Sequence, residues 1–513
     1  MKACALALLV AGLLTLHHAS GAALVRQYGS SAPLRTLALS AHAPPAPAPP
    51  PLRRFTPRAP VTAQAGAAPL FPLPAELAVP ALAHVRTGGS SFEIEGARAA
   101  NGSVSGALGD MQYVQLANGQ LSVYRKDDGA LLLGPVPASA LFADAPPGPA
   151  TDACGMQRGD DTEVHYDQLA NRWILSYRSW AQGAPYFQCI AVSASSDASG
   201  SYQRYALPMA THYFDDPHLA VWPDAYYLSV NLFDSVDGAY RGPRICGIDR
   251  QALLRGRDAV LRCRDLGETV APLAPASLDG YASASAALFL ALDLSTRKRL
   301  LLWRFSFSAN RLAAPLALPV APFAIACEDT IDCISQPAPG VRLALLGERL
   351  APRPVFRNDD GRETLVAAHP VRIADGRLGV RWYEIADPYG AAQVAQQGSL
   401  APDAISRWMG SIGMDKVGNI ALGYSVASGD TPPGIRYTGR QRTDPPGRMQ
   451  AEEVIFNGNG VQPDPSRLGR ASGGLALDPI DGCTFWYTQR YLPSTGTANW
   501  RTRIASFKFE NCR

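Results

Sequence analysis

After residue 100 the chain alternates short apolar runs of strand length with single turns rich in Asp, Asn and Gly. Val164-His165-Tyr166-Asp167-Gln168-Leu169-Ala170-Asn171-Arg172-Trp173-Ile174-Leu175-Ser176 sets the pattern. It reads as a strand, a turn around Asp167 and a second strand. Asp and Asn suit such turns because their side chains bond the local backbone and tolerate unusual dihedrals. The pattern returns in Leu219 to Ser229 around Asp224, in Ile412 to Tyr424 around Asp415, and in Leu475 to Tyr487 around Asp478. Weaker copies run from Leu288 to Phe305 and from Tyr113 to Tyr124, the latter around Asn118-Gly119. No long amphipathic helix interrupts them. Asp249 to Leu254 predicts one short helical turn in a loop.

The intervals Asp167–Asp224 and Asp415–Asp478 are about 57 and 63 residues, the size of four antiparallel strands with generous loops. Radial repetition of such units protects every sheet edge and makes a β-propeller. About 410 residues at a period near 58 predict an all-β fold of seven four-stranded blades. They start near residues 104, 159, 214, 279, 340, 405 and 467. Two β-sandwiches are the rival all-β reading, and they predict no single period.

The first hundred residues differ in composition. Met1 to Ala22 has Lys2, an apolar run from Ala3 to Leu16, and small residues Ser20-Gly21-Ala22, the pattern of a cleaved secretory signal. Residues 23–100 read as a Pro/Ala-rich disordered linker. Its centre is the polyproline run from Ala43 to Pro51, with a small basic cluster at Arg53, Arg54 and Arg58. The folded domain is placed at 101–513. No later stretch reaches the roughly 18 apolar residues of a membrane helix. The expected location is therefore secreted, periplasmic or at the cell surface.

Cysteine usage agrees with export. Without Cys4, in the signal, eight of the nine cysteines remain. An even number in an exported chain predicts disulfides. Locality alone pairs them in sequence: Cys154–Cys189, Cys246–Cys263, Cys327–Cys333 and Cys483–Cys512. Zinc is the competing use, but no CxxC occurs and the spacings fit no zinc template. The net charge of +3 argues against phosphate-driven nucleic-acid binding. With Gly at 46 and Pro at 43, the chain is unlike a helical bundle. A monomer is expected.

The repeats also carry a resemblance. Tyr166-Asp167-Gln168-Leu169-Ala170-Asn171-Arg172-Trp173, Arg407-Trp408-Met409-Gly410-Ser411-Ile412 and Cys483-Thr484-Phe485-Trp486-Tyr487-Thr488-Gln489 are the most distinctive of its motifs. With Val221 to Tyr227 and Val380 to Glu384, they make the chain resemble a family of exported bacterial β-propeller proteins without an assigned biochemical function. The resemblance spans nearly all of 101–513. It implies the propeller fold and export, and no reaction. The family pattern often has acids where this chain has Ser103, a position near Ser277, and Gly469-Arg470-Ala471-Ser472. A role that needs a full ring of channel acids is in doubt here.

In a propeller the first strand of each blade lines the central channel, so residues at those strand starts converge from distant parts of the sequence. They include Asp160-Asp161, Asp215-Asp216-Pro217-His218, Asp279, Arg407 and Arg470. Asp160, Asp215 and Asp279 are the candidate catalytic acids, because paired carboxylates cleave glycosides when suitably spaced. Asp216, His218, Arg407 and Arg470 are the candidate ligand-binding residues. The plain alternative is that the acids cap strand starts and bond loop backbone. His212, Asp215, Asp216 and His218 lie close enough to suggest a metal, but match no standard spacing. No metal site or cofactor is assigned. Structural calcium, held by Asp and carbonyl oxygens, is the metal chemistry compatible with an exported propeller.

Ser196 to Tyr202 resembles the Asp-box hairpin of sialidase-like propellers with one extra residue, a structural element in that family. Arg357, Arg381, Arg407 and Arg436 with Tyr383 and Glu384 are candidates for sialidase roles, without any fixed geometry. Trp382, Tyr383 and Trp408 read as packing between blades rather than as a sugar platform. GxSxG, Walker and HExxH motifs are absent. The sequence therefore predicts a binding module for an extracellular glycan or protein. The alternative is a carbohydrate-active hydrolase or lyase using channel carboxylates.

Overall fold

The computed structural model describes residues 22–39, 61–68, 87–92 and 103–513. Within the last range, 157–160, 181–185, 210–212, 281–285, 374, 464–472 and 497–499 are excluded. The protein is a seven-bladed β-propeller. Blades 1 to 7 begin with the inner strands Val104–Leu108, Thr162–Asp167, Tyr213–Val221, Ala274–Pro275, Val355–Asp359, Ser406–Met414 and Gly474–Leu477. The predicted starts agree closely, except that blade 5 begins later than expected. The displacement has a cause: residues 324–352 form an insertion between blades 4 and 5.

The Asp turns sit where predicted, between the first and second strands of their blades. Arg172 pairs with Asp167, Ala225 opens the second strand of blade 3, and Ile420 pairs with Met414. Asp167 accepts the Leu169 N–H across its turn at 3.0 Å, and Asp415 accepts those of Val417 and Asn419. The short helix Arg250–Leu254 follows the third strand of blade 3 and is capped by Asp249.

The middle strands are apolar on both faces because each blade is covered by a neighbour on either side. Ala225–Phe233 and Ile420–Ala427 are buried throughout. Trp173, Trp222 and Trp382 are large, fully buried side chains of this interior, and Trp408 is buried as well, as the packing reading of these aromatics requires. All four sequential disulfides are formed.

The stretch read as a linker is partly built into the fold. Ala22–Val25 adds a fifth strand to blade 3, and Gln27–Ser30 adds one to blade 2. Gln64–Ala65 runs parallel to Leu316–Pro319 on blade 4. Thr87–Phe92 supplies the fourth strand of blade 7, antiparallel to Arg501–Phe509, so the ring is closed by chain that precedes residue 101. The reason is the edge rule: an outer strand has unpaired backbone groups, and a nearby extended segment satisfies them. Arg204 secures one joint by donating to the carbonyls of Gly29 and Ser30 and pairing with Asp144. Residues 1–21 of the expected signal sequence and the polyproline run lie outside the described residues, and Ala22, the last residue expected in the signal, opens the strand on blade 3. Among the described residues no helix is long and apolar enough to cross a membrane.

Candidate functional site

Two cavities mark the two ends of the axial channel. The larger, about 820 Å³ of empty space, lies where the inner strands begin. The smaller lies where they end, beside Leu108, Tyr166, Val221 and Leu477. Three features shape the larger one: two bulged inner strands and the insertion.

In blade 3, Asp215 pairs with Asn231 and His218 with Ser229, so one extra residue is squeezed into the inner strand. Asp216 takes a positive φ of 55° there, and Pro217 follows at the bulge. Blade 6 repeats the device between Trp408 and Ser411, with Met409 at φ 53°. A side chain at Gly410 would approach Val380 Cγ1 to 2.7 Å, so the close approach of blades 5 and 6 requires glycine. The first bulge turns charge toward the cavity and the second turns a thioether toward it.

The insertion covers the opening. Cys327 and Cys333 staple its start, Asp332–Ile334 pairs with Leu343–Ala344, and Ala326 bridges Gly347. Leu343, Leu345 and Ile334 pack with Trp408 and Trp500 of blades 6 and 7, so this cap is anchored across the ring. It contributes Leu345, Leu346, Leu350 and Pro352 to an apolar wall, facing a polar wall from blades 2 and 3.

The polar wall is an alternating chain of charges. His218 Nδ1 meets Glu163 Oε1 at 2.8 Å, and its Nε2 meets Asp216 Oδ1 at 3.2 Å. Both ring nitrogens face carboxylate oxygens, so both must donate, and the ring is an imidazolium. Burial opposes that charge, but the Asp216 and Glu163 carboxylates outweigh it and push the His218 pKa up to about 10. Burial would likewise raise Glu163. Hydrogen bonds from His165 and His218 overcome it and hold the carboxyl at about 2. Glu163 also accepts the Leu219 N–H at 2.9 Å. The chain continues through the cap, where Arg349 donates to Asp216 at 2.6 Å and to Glu348 at 2.8 Å. Beneath it, Arg178 lies 3.0 Å from Asp161 and 3.9 Å from Asp215, donates to the Phe214 carbonyl, and stacks on Tyr213.

The sequence-derived candidates divide sharply. Asp216 and His218 line the cavity, and Asp215 is buried just behind it. Asp160, Arg470 and His212 lie outside the described residues. Asp279 is at the far end of the channel, bonded to Arg353 at 2.8 Å, because the inner strand of blade 4 ends before it. Arg407 does not face the cavity. It is fully buried within blade 6 between Asp403 and Glu452. The arginines of the sialidase reading are dispersed: Arg357 pairs with Asp359, Arg381 donates to Ala321, and only Arg407 and Arg436 meet, at Glu452. Asp197 of the box-like hairpin bonds Ser199 and Arg35 of the N-terminal segment, a structural role. Among the described residues no group of three His, Cys, Asp or Glu side chains is arranged to hold a metal.

Glu163, Arg349 and the cap were not singled out by sequence. Glu163 follows the noticed pair Asp160-Asp161 by two residues, and a strand's alternation places it on the same face as Asp161. Arg349 had no such signal, since it reaches the site through an insertion.

No family model and no curated relative matches the chain. Solved structures share the broad architecture. A Penicillium chrysogenum α-L-arabinanase complexed with arabinobiose is 11% identical, with a TM-score of 0.36 over 68% of this chain and 94% of that one. A family PL25 ulvan lyase is 9% identical, with a TM-score of 0.44 over 81% and 95%. The WD40 domain of SCAP from fission yeast is 8% identical, with a TM-score of 0.34 over 83% and 98%. These range from enzymes to a WD40 domain, and at such scores they assign no chemistry to this chain.

Proposed function

We propose that this protein is a carbohydrate-binding propeller of the exported compartment, and that a neutral stretch of glycan is held in the covered cavity where the inner strands begin. One observation carries the reading: the cavity sets an apolar wall from the cap against a wall of fixed hydrogen-bonding charges. Sugars present a matching mixture, C–H faces and a rim of hydroxyls, and concave sites that combine an apolar lining with a few placed polar groups are common ligand sites. Four disulfides accord with an oxidising compartment. Holding is favoured over cleavage by channel acids because a glycosidase pair needs one carboxyl kept protonated. The described carboxylates of this wall instead face cations.

The second reading is a carbohydrate-active hydrolase or lyase, and the Glu163–His218–Asp216 chain favours it, since an imidazolium bonded to carboxylates at a cavity can relay a proton through them. Titration calorimetry with neutral oligosaccharides, followed by an assay for new chain ends, separates the two. Binding without new ends, lost in Glu163→Gln, supports the binding module. New ends abolished in His218→Gln with binding retained establish the enzyme. No binding and no new ends with any oligosaccharide defeat both.

A further inference from the structure

A smaller chamber adjoins the covered cavity beneath the same cap, between blades 6 and 7, with about 340 Å³ of empty space. The two spaces share Met409, and the cap runs between them. Leu343 and Ala344 line the small one, and Leu345 and Leu346 line the large one. Met409 owes its place to the bulge of blade 6, where its φ is 53°. Its unbranched thioether makes an adaptable partition, because its torsions let it repack around a neighbour.

The chamber walls are largely apolar, with Leu343, Trp408, Pro433 and Trp500 among them. Two polar side chains at its edge are already engaged. Gln489 donates to the Tyr487 hydroxyl at 3.1 Å and accepts the Arg490 backbone N–H at 2.9 Å. Arg490 lies over the Trp500 ring, 5.3 Å from its centre, and holds the indole plane. Trp500 itself is the exception. It is only 4% exposed, it lines the chamber, and its buried Nε1–H meets no acceptor among the described residues. A buried indole N–H usually has a partner, and one without calls for a bound group that supplies it.

From this orphaned donor we infer that the chamber receives the acetamido arm of an N-acetylated sugar whose ring lies in the main cavity, with Trp500 as the selecting residue. The inference rests on the glycan reading above. An acetamido group offers what the chamber lacks: a carbonyl oxygen for the one unmet N–H, beside a methyl group for the apolar walls. A bare hydroxyl would satisfy the indole but bring a donor of its own among apolar side chains, which costs free energy unless it too is bonded. The arm enters past Met409, the side chain common to both spaces.

The test compares three neutral tetramers on the full chain by calorimetry: galactotetraose, cellotetraose and tetra-N-acetylchitotetraose. The last two differ only in carrying a hydroxyl or an acetamido group at the second carbon of each ring. The acetylated tetramer is expected to bind about tenfold more tightly than either of the others, the effect of one hydrogen bond to a buried donor. Trp500→Phe keeps an aromatic ring and loses the donor, and it should close that gap. Should that variant fail to fold, the three affinities of the unaltered protein decide alone. Cellotetraose or galactotetraose binding as tightly as the acetylated tetramer would leave only water on the indole; it overturns the inference and leaves the glycan reading standing. A gap that persists in folded Trp500→Phe overturns it as well. Failure of all three to bind overturns the glycan reading and the inference with it.

Discussion

Arg407 and His218 are both buried cations clasped by two carboxylates, yet they serve opposite ends. Arg407 has no exposed surface. It makes hydrogen bonds to Asp403 and Glu452, and Glu452 in turn accepts from Tyr424 at 2.6 Å and Arg436 at 3.1 Å. Every donor in that cluster comes from blade 6, so the cluster ties one blade to itself. His218 joins blade 2 to blade 3 through Glu163 and reaches the cap through Asp216, beside open space. The sequence marked both residues for the same reason, their place near an inner-strand start. What distinguishes them is where the bulge falls. Ser406–Met414 bulges after Arg407 and lifts Met409 toward the cavity, while Tyr213–Val221 bulges just before His218.

The sharpest way to break the comparison is Arg407→Met. It strands Glu452 and Asp403 without their cation, and loss of one partner of a buried pair costs about 3–5 kcal/mol. Urea unfolding should show that loss, and the folded fraction should keep its affinity for galactotetraose. A loss under about 1 kcal/mol would mean the cluster is not structural. Next, Cys327→Ser with Cys333→Ser opens a short loop and should cost about 2 kcal/mol on the loop-entropy model. It should expose 324–352 to protease and weaken oligosaccharide binding, because the cap holds Arg349 against the His218 network and has no part in the Arg407 one.

His218→Gln is expected to lower galactotetraose affinity about tenfold, or about 1.4 kcal/mol, by calorimetry. It also predicts a change in pH dependence. His218 is raised from 6.5 to about 10, so its contribution to stability is complete below pH 6.5. It fades as pH rises toward 10, because the unfolded chain releases a proton the folded one keeps. Glu163 is lowered from 4.5 to about 2, so its contribution is complete above pH 4.5 and fades as pH falls toward 2. The unaltered protein should therefore lose stability between pH 6.5 and 10, and His218→Gln should flatten that limb. Denaturation at a series of pH values reads it directly. The smallest effect sets the floor: Arg35→Ala, which removes the exposed pair with Asp197, should change stability by less than about 0.5 kcal/mol.

Much of this fold was legible because its repeating unit is local. An Asp turn between two apolar strands is written in a dozen residues, and Asp167, Asp415 and Asp478 each announced a blade. Sequential disulfides were legible for the same reason: each joins cysteines that are neighbours in the sequence. The site was only half legible. Asp216 and His218 were found because a run of charge near a strand start is visible. Asp279 was misplaced because blade 4's inner strand is only Ala274–Pro275, so the acid follows the strand's end instead of marking its start. The cap hid in the long interval between blades 4 and 5, where a period argument only moves the next blade's start. The paired segments of the lead were hidden by composition. Strand addition to an edge needs backbone and little else, so Ala22–Val25 and Gln64–Ala65 carry no pattern of their own.

The closing strand of blade 7 sets a timetable for the molecule. Thr87–Phe92 precedes its partner Arg501–Phe509 by the whole of blades 1 to 6. Until that partner is made the nascent arc has a bare edge at each end, and the early strand must wait unpaired through the synthesis of six blades. An arc of this kind has no closed intermediate in which to rest, and open strand edges recruit other chains. Closure of the ring therefore waits on Arg501–Phe509, and loss of a few residues near Phe509 would leave Thr87–Phe92 without a place to go.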